Sequence, residues 1–398
     1  MKSKNSKKDH RKLRRKLIFL VGLDEYFLSH RQPASRAAMQ LGYSVTVVAK
    51  DTGKRSMIEA LGCRFIENPI PNASSNAFTT ALSIMKFRRI IDLVEPDILH
   101  NIGLQNSIIG TSASLGTRVG VTCNSINGTG YLFTNNGAKT RILRTIVKTW
   151  IKLLNSIRQS VFIFQNEEDR EIFSSLGIDP KTTTLIKGSG VDTTIYSPTL
   201  IPEAPVVVGA ACRLIDIKGV RDLCKAMGMI ETILPNVKLR LAGRVEGNNP
   251  GSITEAELAH FRGQPNITIE GHVENMVAFW RDCHVAIQPS HGGEGVPMSL
   301  LQAASMGRPI ITTDTSGNNT ICLKGVNGLL VPPKNPEALA TAIITLCSDP
   351  ELIKTMGAKS IGVVCDGGFT AEKVEQAMRS VYLICQQQTQ PNTEYKCF

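Results

Sequence analysis

Short runs of β-branched and aliphatic residues alternate with helical patterns along nearly the whole chain, and this alternation constrains the fold more than any other feature. In the first half such runs predict six strands, at 17–21, 44–49, 98–100, 119–123, 161–164 and 184–187. Helical patterns lie between them, among others at 34–41, 80–94 and 167–176. Strands that alternate with helices form parallel sheets covered on both faces. The sequence therefore predicts doubly wound α/β domains.

The alternation is interrupted once, by Pro198, Pro202 and Pro205, and then resumes with strand patterns at 206–211, 238–242, 267–269, 285–288 and 310–313. Prolines between two periodic blocks are typical of an interdomain linker. A chain of 398 residues also suits two domains of roughly 150–200 residues. We therefore expect Rossmann-like domains at 17–197 and 198–369, with a last helix and tail at 370–398 that pack back toward the first domain.

The positive charge is concentrated at the N-terminus. Residues 1–16 contain nine Lys or Arg and one Asp, and so account for +8 of the net charge of +11. Such a block is either a solvated tail or an attraction site for anionic lipid or nucleic acid. The apolar run 17–23 is too short for a signal peptide, and an acidic pair follows it, so we interpret it as a buried strand. No run reaches the roughly 18 apolar residues that span a bilayer.

The ten cysteines are scattered, and none lies within four residues of another. This spacing excludes a Cys-x-x-Cys metal or redox motif, and we expect reduced cysteines in cytosolic domain cores. The chain also contains no Asp-x-Asp pair, the pattern that would offer a carboxylate clamp for a metal–diphosphate complex. We therefore expect neither a metal nor another cofactor.

Two cations follow the first strand of the second block. Arg213 stands at the strand end, and Lys218, with Gly219, opens the next helix. Ligands of doubly wound sheets bind at the carboxyl ends of the strands, and two cations beside helix N-terminal amides can bind a diphosphate without a metal. Either cation alone could also be a surface charge beside a turn. Gly22, after the first strand of the chain, lets a phosphate approach the backbone or simply forms a tight turn.

The segment HGGEGVPMSLLQAAS (291–305) combines a glycine-rich loop with the start of a helix. Pro297 suits a first helical turn, so the amides of Met298 to Leu300 are expected to face the cleft. Glu294 is held in the loop, and Gln302 lies more than one turn along the helix. Their alternative interpretations are a solvated loop acid and a surface helix residue.

The motifs occur in the order expected for one enzyme family: R-x4-K-G at 213–219, E-G-x-P-x-S-L-L-x-A-x-x-x-G-x-P at 294–309, and N-G-L-L-V-P at 327–332. This order resembles the retaining glycosyltransferases of family four, which have the GT-B fold. Further segments support the resemblance: FLSHRQPASRAAMQLGYSV (27–45), PDILH (96–100), NGTGYLF (127–133), FQNEEDREIF (164–173) and GSGVD (188–192). The chain is most similar to bacterial members that build capsule, O-antigen or glycoprotein glycans on undecaprenyl diphosphate.

The resemblance implies roles for the matched positions. Arg213 and Lys218 would neutralise the donor diphosphate, and Glu294 would contact hydroxyls of the donor sugar, which makes these three the catalytic candidates. The donor-binding candidates are Gly22, Gly295, Pro297, Ser299, Leu300, Leu301 and Gln302. At Gln302 the family's second acid, the ribose-binding one, is replaced by its amide. A glutamine still accepts and donates hydrogen bonds, and losing the charge-assisted bond costs ~1–2 kcal/mol, so we interpret Gln302 as an adaptation.

A second departure lies in the run CNSINGTGYLF (123–133), where some relatives have a histidine near the reacting sugar. The candidates for the sugar and acceptor side are therefore Asn127, Gly128 and Gly130, together with His100 at the end of its own strand. A core histidine is the alternative interpretation of His100. In retaining enzymes of this fold the donor phosphate is thought to receive the acceptor's proton, so catalysis would depend on positioning and on stabilising the leaving diphosphate.

Residues 138–160 predict an amphipathic helix, with one apolar face formed by Ile142, Ile146, Trp150, Leu153, Leu154 and Ile157. Arg144, Lys148 and Lys152 follow at intervals of four on another face. A core-facing helix explains the apolar face, and a membrane-surface helix explains it together with the basic residues and the tryptophan.

Together these features predict a metal-independent, retaining hexosyltransferase that uses a nucleoside-diphosphate sugar, with UDP as the expected nucleotide, and a lipid-linked saccharide acceptor. We expect it in the cytoplasm, bound peripherally to the anionic inner membrane surface through 1–16 and 138–160. The alternatives are a GT-B sugar-nucleotide epimerase and a catalytically silent scaffold in glycan assembly. Nucleic acid is not expected, because no aromatic stacking pattern accompanies the basic tail.

Overall fold

The computed structural model describes residues 15–70, 77–128, 137–247, 249 and 251–389, and its strands form two parallel sheets. The first sheet has seven strands in the order 3-2-1-4-5-6-7. They are β1 (Lys16–Leu23), β2 (Ser44–Lys50), β3 (Arg64–Glu67), β4 (Ile98–Ile102), β5 (Val121–Ile126), β6 (Ser160–Phe164) and β7 (Thr183–Leu185). The connecting helices are α1 (Asp24–His30), α2 (Gln32–Gln40), α3 (Arg55–Ala60), α4 (Ala77–Val94), α5 (Leu104–Ser114), α6 (Ala138–Ile157) and α7 (Glu167–Ser174).

The second sheet has six strands in the order 10-9-8-11-12-13. They are β8 (Val207–Ala211), β9 (Lys238–Ala242), β10 (Ile267–Gly271), β11 (Val285–Gln288), β12 (Ile310–Thr313) and β13 (Gly328–Val331). The helices that follow the linker are α8 (Val220–Ile230), α9 (Glu255–Arg262), α10 (Met276–Arg281), α11 (Met298–Ser305), α12 (Pro336–Cys347), α13 (Pro350–Asp366) and α14 (Ala371–Thr389). The prediction of two doubly wound α/β domains is confirmed.

Both sheets place their first strand next to the fourth, and this arrangement fixes where ligands can bind. β1 lies between β2 and β4, and β8 lies between β9 and β11. The strand order reverses at these two points, which leaves a crevice beyond the carboxyl ends of the strands. We refer to the crevice beyond β1 and β4 as the N-domain cavity and to the one beyond β8 and β11 as the C-domain cleft.

The central strands read as continuous apolar runs because helices cover both faces of each sheet. In β1 the five residues 17–21 are all 0% exposed. The edge strands β3 and β13 are only four residues long, and the strand patterns of the sequence did not predict them.

The last helix, α14, is part of the core of the first domain although it follows the second domain in the chain. Val374, Met378, Val381 and Cys385 are buried in the same cluster as β1 and β5. Their spacing of three or four residues places them on one face of the helix. Glu375, also on α14, forms an ion pair with Arg36 of α2 at 2.7 Å. The chain therefore crosses twice between the domains.

Candidate active site

The C-domain cleft has a volume of about 620 Å³ and is lined by the predicted diphosphate-binding residues. Arg213 follows β8, Lys218 ends a short 3-10 turn, and Glu294 lies in the loop after β11. Gly219 makes this turn possible, because its φ of +70° suits glycine and a side chain there would collide with the carbonyl of Pro289. The structure thus brings all three catalytic candidates together.

Lys218 and Glu294 form an ion pair between the Lys218 ammonium and Oε2 of the carboxylate. Their side chains are only 15% and 19% exposed. An ion pair removed from water to this extent is screened less by salt than a surface pair. The cleft therefore holds a positive charge that a bound anion can attract away from its carboxylate partner.

The second oxygen of Glu294 is held by two neutral donors. Oε1 accepts hydrogen bonds from Gln288 at 3.0 Å and from the Ser290 hydroxyl. Asn318 donates to Ser290 at 3.1 Å, and Ser299 donates to Oε1 of Gln288 at 2.6 Å. Since a carboxylate has about four acceptor positions, Glu294 is fixed in place and keeps capacity for a further donor such as a sugar hydroxyl.

Arg213 differs from Lys218 in being accessible. Its side chain is 59% exposed, and Nη1 lies 3.0 Å from Glu246. Arg213 lines both the C-domain cleft and the N-domain cavity, so it stands where the two spaces meet. Within the residues that the structure describes, no three His, Cys, Asp or Glu side chains converge as metal ligands would.

The N-domain cavity has a volume of about 520 Å³. Its glycine and polar lining comes from the end of β1, from α1 and from residues that follow β3, β4 and β5: Gly22, Tyr26, Asn68, Gly103, Gln105, Asn106 and Asn127. Gly22 has no atom within 4 Å of the position of an added side-chain carbon. Gly22 lines the N-domain cavity and is not among the residues that line the C-domain cleft, so its donor-binding role stays a prediction, and its conformation does not require glycine.

The loop after β5 contacts the loop that carries Glu294. The Gly295 amide donates to the Asn127 carbonyl at 3.0 Å, and the Val296 amide donates to Oε1 of Gln165 at 3.0 Å. Gly128, with φ +104°, would place a side-chain carbon 2.6 Å from the Gly293 carbonyl oxygen. The structure thus places two of the predicted sugar-side residues, Asn127 and Gly128, against the Glu294 loop. Gly130 lies outside the described residues.

His100 does not line either cavity, which corrects its assignment to the sugar or acceptor side. Its side chain is 0% exposed. One ring nitrogen is hydrogen-bonded to the Tyr382 hydroxyl at 2.8 Å and the other to Ser125 at 2.7 Å. Burial, together with the positive charge of Arg31, holds the pKa of His100 well below its usual value. His100 is a neutral core histidine that joins α14 to the first sheet.

The predicted donor-binding residues occupy different environments. The side chains of Leu300 and Leu301 are 0% exposed in the core of the second domain, so only their amides could meet a ligand. Pro297 is the N-cap of α11 and not its first residue. Ser299 and Gly295 are not among the residues that line the C-domain cleft; Ser299 donates to Gln288, a partner of Glu294, and the Gly295 amide donates to Asn127.

Gln302 lines a separate interdomain cavity of about 240 Å³ together with Ser29, Arg36 and Asp192. Its Oε1 lies 3.5 Å from the indole nitrogen of Trp280. Glu294 is not part of that cavity, so the structure does not bring Glu294 and Gln302 into one space. A ribose role for Gln302 stays a prediction.

The amphipathic helix forms as α6, but most of its predicted apolar face points to solvent. Ile142, Ile146, Trp150, Leu153 and Ile157 are between 41% and 64% exposed. The helix packs on the domain through other positions, chiefly Ile151 and Leu154, each 4% exposed. The core-facing interpretation therefore holds for Leu154 and partly for Trp150, whose indole nitrogen donates to Ser112 on α5 at 3.1 Å.

Comparison with known proteins identifies both halves of the chain. Residues 16–166 match a family described as glycosyl transferase 4-like, and residues 205–349 match the family of glycosyl transferases group 1. A relative from Campylobacter jejuni, N,N'-diacetylbacillosaminyl-diphospho-undecaprenol α-1,3-N-acetylgalactosaminyltransferase, is 22% identical over 348 residues, which are 82% of this chain and 90% of that protein. The capsular polysaccharide biosynthesis glycosyltransferase CapM of Staphylococcus aureus is 27% identical over 176 residues, 44% of this chain and 45% of CapM.

Solved structures match the fold over nearly the whole chain. Sucrose-phosphate synthase from Thermosynechococcus elongatus aligns with a TM-score of 0.76 at 16% identity and covers 94% of this chain and 100% of its own. Anabaena HepE, solved in complex with UDP-glucose, aligns with a TM-score of 0.75 at 17% identity over 93% of this chain and 99% of its own. At these identities the likeness establishes the two-domain fold.

Proposed function

The chain belongs to the group 1 glycosyltransferases with the GT-B fold, and we propose that it transfers a sugar from a UDP-sugar to a saccharide carried on undecaprenyl diphosphate. In this proposal the transfer needs no metal and retains the configuration of the anomeric carbon. The observation that carries the proposal is the shielded Lys218–Glu294 ion pair beside Arg213, at the switch point of the second sheet. It supplies positive charge for a diphosphate and a carboxylate for the sugar in one cleft.

The two cations fit the leaving group of such a reaction. A departing nucleoside diphosphate gains negative charge in the transition state, and fixed positive groups in a partly dry site stabilise that charge. Lys218 would exchange Glu294 for the diphosphate, and Arg213 would exchange Glu246. Glu294, once released by Lys218 and still held by Gln288 and Ser290, would then accept a hydroxyl of the donor sugar.

The placement of the two cavities supports retention. Arg213 borders both the C-domain cleft and the N-domain cavity. In the proposed reaction the acceptor hydroxyl enters from the N-domain cavity and attacks the face of the sugar from which the diphosphate departs. Attack on that face, with the proton passed to the leaving phosphate, preserves the configuration of the anomeric carbon. Positioning and charge stabilisation would provide most of the rate.

The donor and acceptor classes rest on the relatives. The Campylobacter jejuni protein is named for an undecaprenol-diphosphate-linked acceptor, and CapM for capsular polysaccharide. HepE has been solved with UDP, with UDP and glucose, and with UDP-glucose. These names support UDP as the donor nucleotide and a lipid-linked saccharide as the acceptor.

The proposal is tested by incubating the protein with a panel of UDP-sugars and synthetic undecaprenyl-diphosphate saccharides. We expect UDP release that depends on the acceptor, and a product whose new bond has the anomeric configuration of the donor by NMR. Activity should persist in EDTA. Inverted product or an absolute need for Mg²⁺ would refute the mechanism, and failure to bind any nucleoside diphosphate would instead favour a silent scaffold.

A membrane-facing surface is part of the proposal, and α4 extends it beyond the predicted helix. Phe78, Leu82 and Met85 on α4 are 78%, 37% and 58% exposed. Both α4 and α6 pack against α5, so their exposed apolar side chains lie on the same face of the first sheet. Exposed basic residues accompany them, namely Lys86, Arg89 and Lys152. Apolar side chains interspersed with cations suit an anionic lipid surface.

In the described part of the chain no helix is long and apolar enough to cross a bilayer.

Replacing Ile142 and Ile146 by serine is expected to weaken binding to vesicles containing anionic phospholipid roughly tenfold or more, because each isoleucine would bury its exposed apolar area in lipid. Deleting residues 2–16 should weaken vesicle binding further, and added salt should reduce the remaining binding. Vesicle sedimentation measures the effect.

The matched control for this surface is Ile233→Ser in the second domain. Ile233 is 58% exposed, so the change removes a comparable side chain away from the proposed surface and should leave vesicle binding unaltered. Since Ile142 and Ile146 are themselves exposed, their replacement should not unfold the protein. Unchanged vesicle binding of the double variant would contradict the docking proposal.

A further inference from the structure

Nearly all the described residues that line the N-domain cavity are uncharged; some are apolar, such as Val21 and Ile70, and others carry neutral polar groups. Around Tyr26 its side chains include four carboxamides, from Asn68, Gln105, Asn106 and Asn127. Arg213, at the mouth, is the one charged residue among those that line it in the described structure. In the proposed reaction Arg213 binds the donor diphosphate, so no other charged side chain remains among the described residues that line the cavity.

Tyr26 is held in a fixed orientation by its neighbours. The His30 ring stacks on the Tyr26 ring at 4.2 Å with an angle of 7° between the planes. The guanidinium of Arg31 lies 5.7 Å from the ring centre. Ser29 is hydrogen-bonded to His30 at 2.7 Å and so fixes the stacking partner. A side chain fixed to this degree loses little further freedom when a ligand binds.

The hydroxyl of Tyr26 accepts two hydrogen bonds, from Asn127 at 3.1 Å and from Nη2 of Arg31 at 3.3 Å. A tyrosine hydroxyl has two lone pairs and one hydrogen to donate. Both lone pairs are used, and no acceptor for the hydrogen occurs among the described residues. Tyr26 therefore offers one donor to whatever occupies the cavity.

Acceptors complement this donor. Asn106 donates to the carbonyls of Ile102 at 3.0 Å and Leu20 at 3.4 Å, which directs its own oxygen away from those bonds. The exposed side chain of Gln105 can accept and donate. A hydroxyl group also does both, so the lining matches the hydrogen-bonding pattern of a saccharide.

The basic residues behind the cavity do not change its neutral character. Arg31 is 5% exposed and stands behind Tyr26. Burial, with the positive charges of Arg31 and Lys218, lowers the pKa of His30 to about 3, so His30 is uncharged at neutral pH. A carboxylate or phosphate placed in the cavity would lose hydration without gaining a directly contacting cation.

We propose that the N-domain cavity selects acceptors that end in an uncharged saccharide, and that Tyr26 donates its hydroxyl hydrogen to an oxygen of that terminal sugar. The proposal rests on the proposed function and specifies its acceptor. It sets this chain apart from enzymes whose acceptor carries a phosphate next to the reacting hydroxyl, since such an acceptor needs cations, and Arg213 is the single cation among the described residues that line this cavity.

The test uses the full-length protein saturated with UDP and four soluble probes. Two are neutral, methyl N-acetylglucosaminide and methyl galactoside, and two are charged, methyl glucuronide and glucose 1-phosphate. Saturation-transfer NMR titrations should show binding of at least one neutral probe, with the charged probes at least about tenfold weaker because of their uncompensated charge. Tyr26→Phe should lower the affinity for the neutral probe about fivefold, as expected for one lost hydrogen bond.

Tyr43→Phe is the matched control, because Tyr43 is 5% exposed and its hydroxyl is bonded to Gln386 within the core of the same domain. It should leave probe binding unchanged. Gln105→Lys, an exposed position, should raise the affinity for the charged probes. UDP binding is measured on every variant by calorimetry. If UDP fails to bind wild type, the proposed function fails. If UDP binds but charged probes bind as well as neutral ones, or Tyr26→Phe has no effect, this inference is overturned.

Discussion

Replacing Lys218 by alanine is expected to lower the turnover of donor and acceptor by about 100-fold or more, since one charged group that stabilises a leaving diphosphate is worth roughly 3 kcal/mol. The Lys218 side chain is 15% exposed, so little solvent screening reduces its effect. Arg213→Ala should lower turnover less than Lys218→Ala, because the Arg213 side chain is 59% exposed and its charge is screened by solvent. Steady-state kinetics with a UDP-sugar measure both.

The control for Lys218 is Lys225→Ala on α8, the helix that follows the same turn. Lys225 pairs with Glu337 at 3.5 Å, and both side chains are more than 60% exposed, so its loss should not affect turnover. Lys218→Ala also leaves Glu294 without its cation, and a thermal melt separates this loss of stability from a loss of chemistry. A folded Lys218→Ala protein with full activity would refute the diphosphate assignment.

The sheets were predictable because their central strands are buried on both faces and therefore read as apolar runs. β1 and β11 were predicted within two residues of their observed ends. β3 and β13, each four residues long, were not predicted; β3 reads RFIE, in which charged residues at both ends leave little apolar signal. The helices α1 and α5 were missed as well, because the predicted patterns covered only the longer or more periodic segments.

The site was partly predictable because ligands of these sheets bind after particular strands, and Arg213, Lys218 and Glu294 all stand there. The sequence could not show which residues far apart in the chain contact each other. Lys218 meets Glu294 across 76 positions, and Val296 meets Gln165 across 131. Tyr26 was missed because it belongs to a helix that the patterns did not reveal, although its position just after β1 was a usable signal.

Gln302 shows why a motif alone does not place a side chain. On α11 it shares a face with Met298, and both line the interdomain cavity with Asp192. Glu294 is held by the loop and points to the Lys218 ammonium. An amide at Gln302 can be satisfied by neutral partners such as the Trp280 indole, whereas a carboxylate there would add a negative charge near Asp192. The replacement is therefore compatible with an intact diphosphate cleft.

Gly128→Val is expected to reduce turnover by roughly two orders of magnitude while UDP still binds, since a misplacement of about 1 Å at a reacting centre can cost that much. Gly128 stands where the loop after β5 meets the Glu294 loop, and an added side-chain carbon would lie 2.7 Å from the Glu294 backbone. The proposed diphosphate-binding residues, Arg213 and Lys218, both belong to the second domain, so the affinity for UDP should persist. The variant would instead keep the acceptor domain away from the donor sugar.

The control for Gly128→Val is Gly53→Val, which separates backbone strain from collision between the domains. Gly53 has a comparable φ of +97°, but no atom lies within 4 Å of its added side-chain carbon. Both substitutions force a β-branched residue into the left-handed region, and only the Gly128 variant pushes against the opposite loop. We expect Gly53→Val to lose some thermal stability and to keep its turnover, and Gly128→Val to show a more open particle by small-angle scattering. Equal losses of turnover in the two variants would mean that strain, and not contact between the loops, limits the reaction.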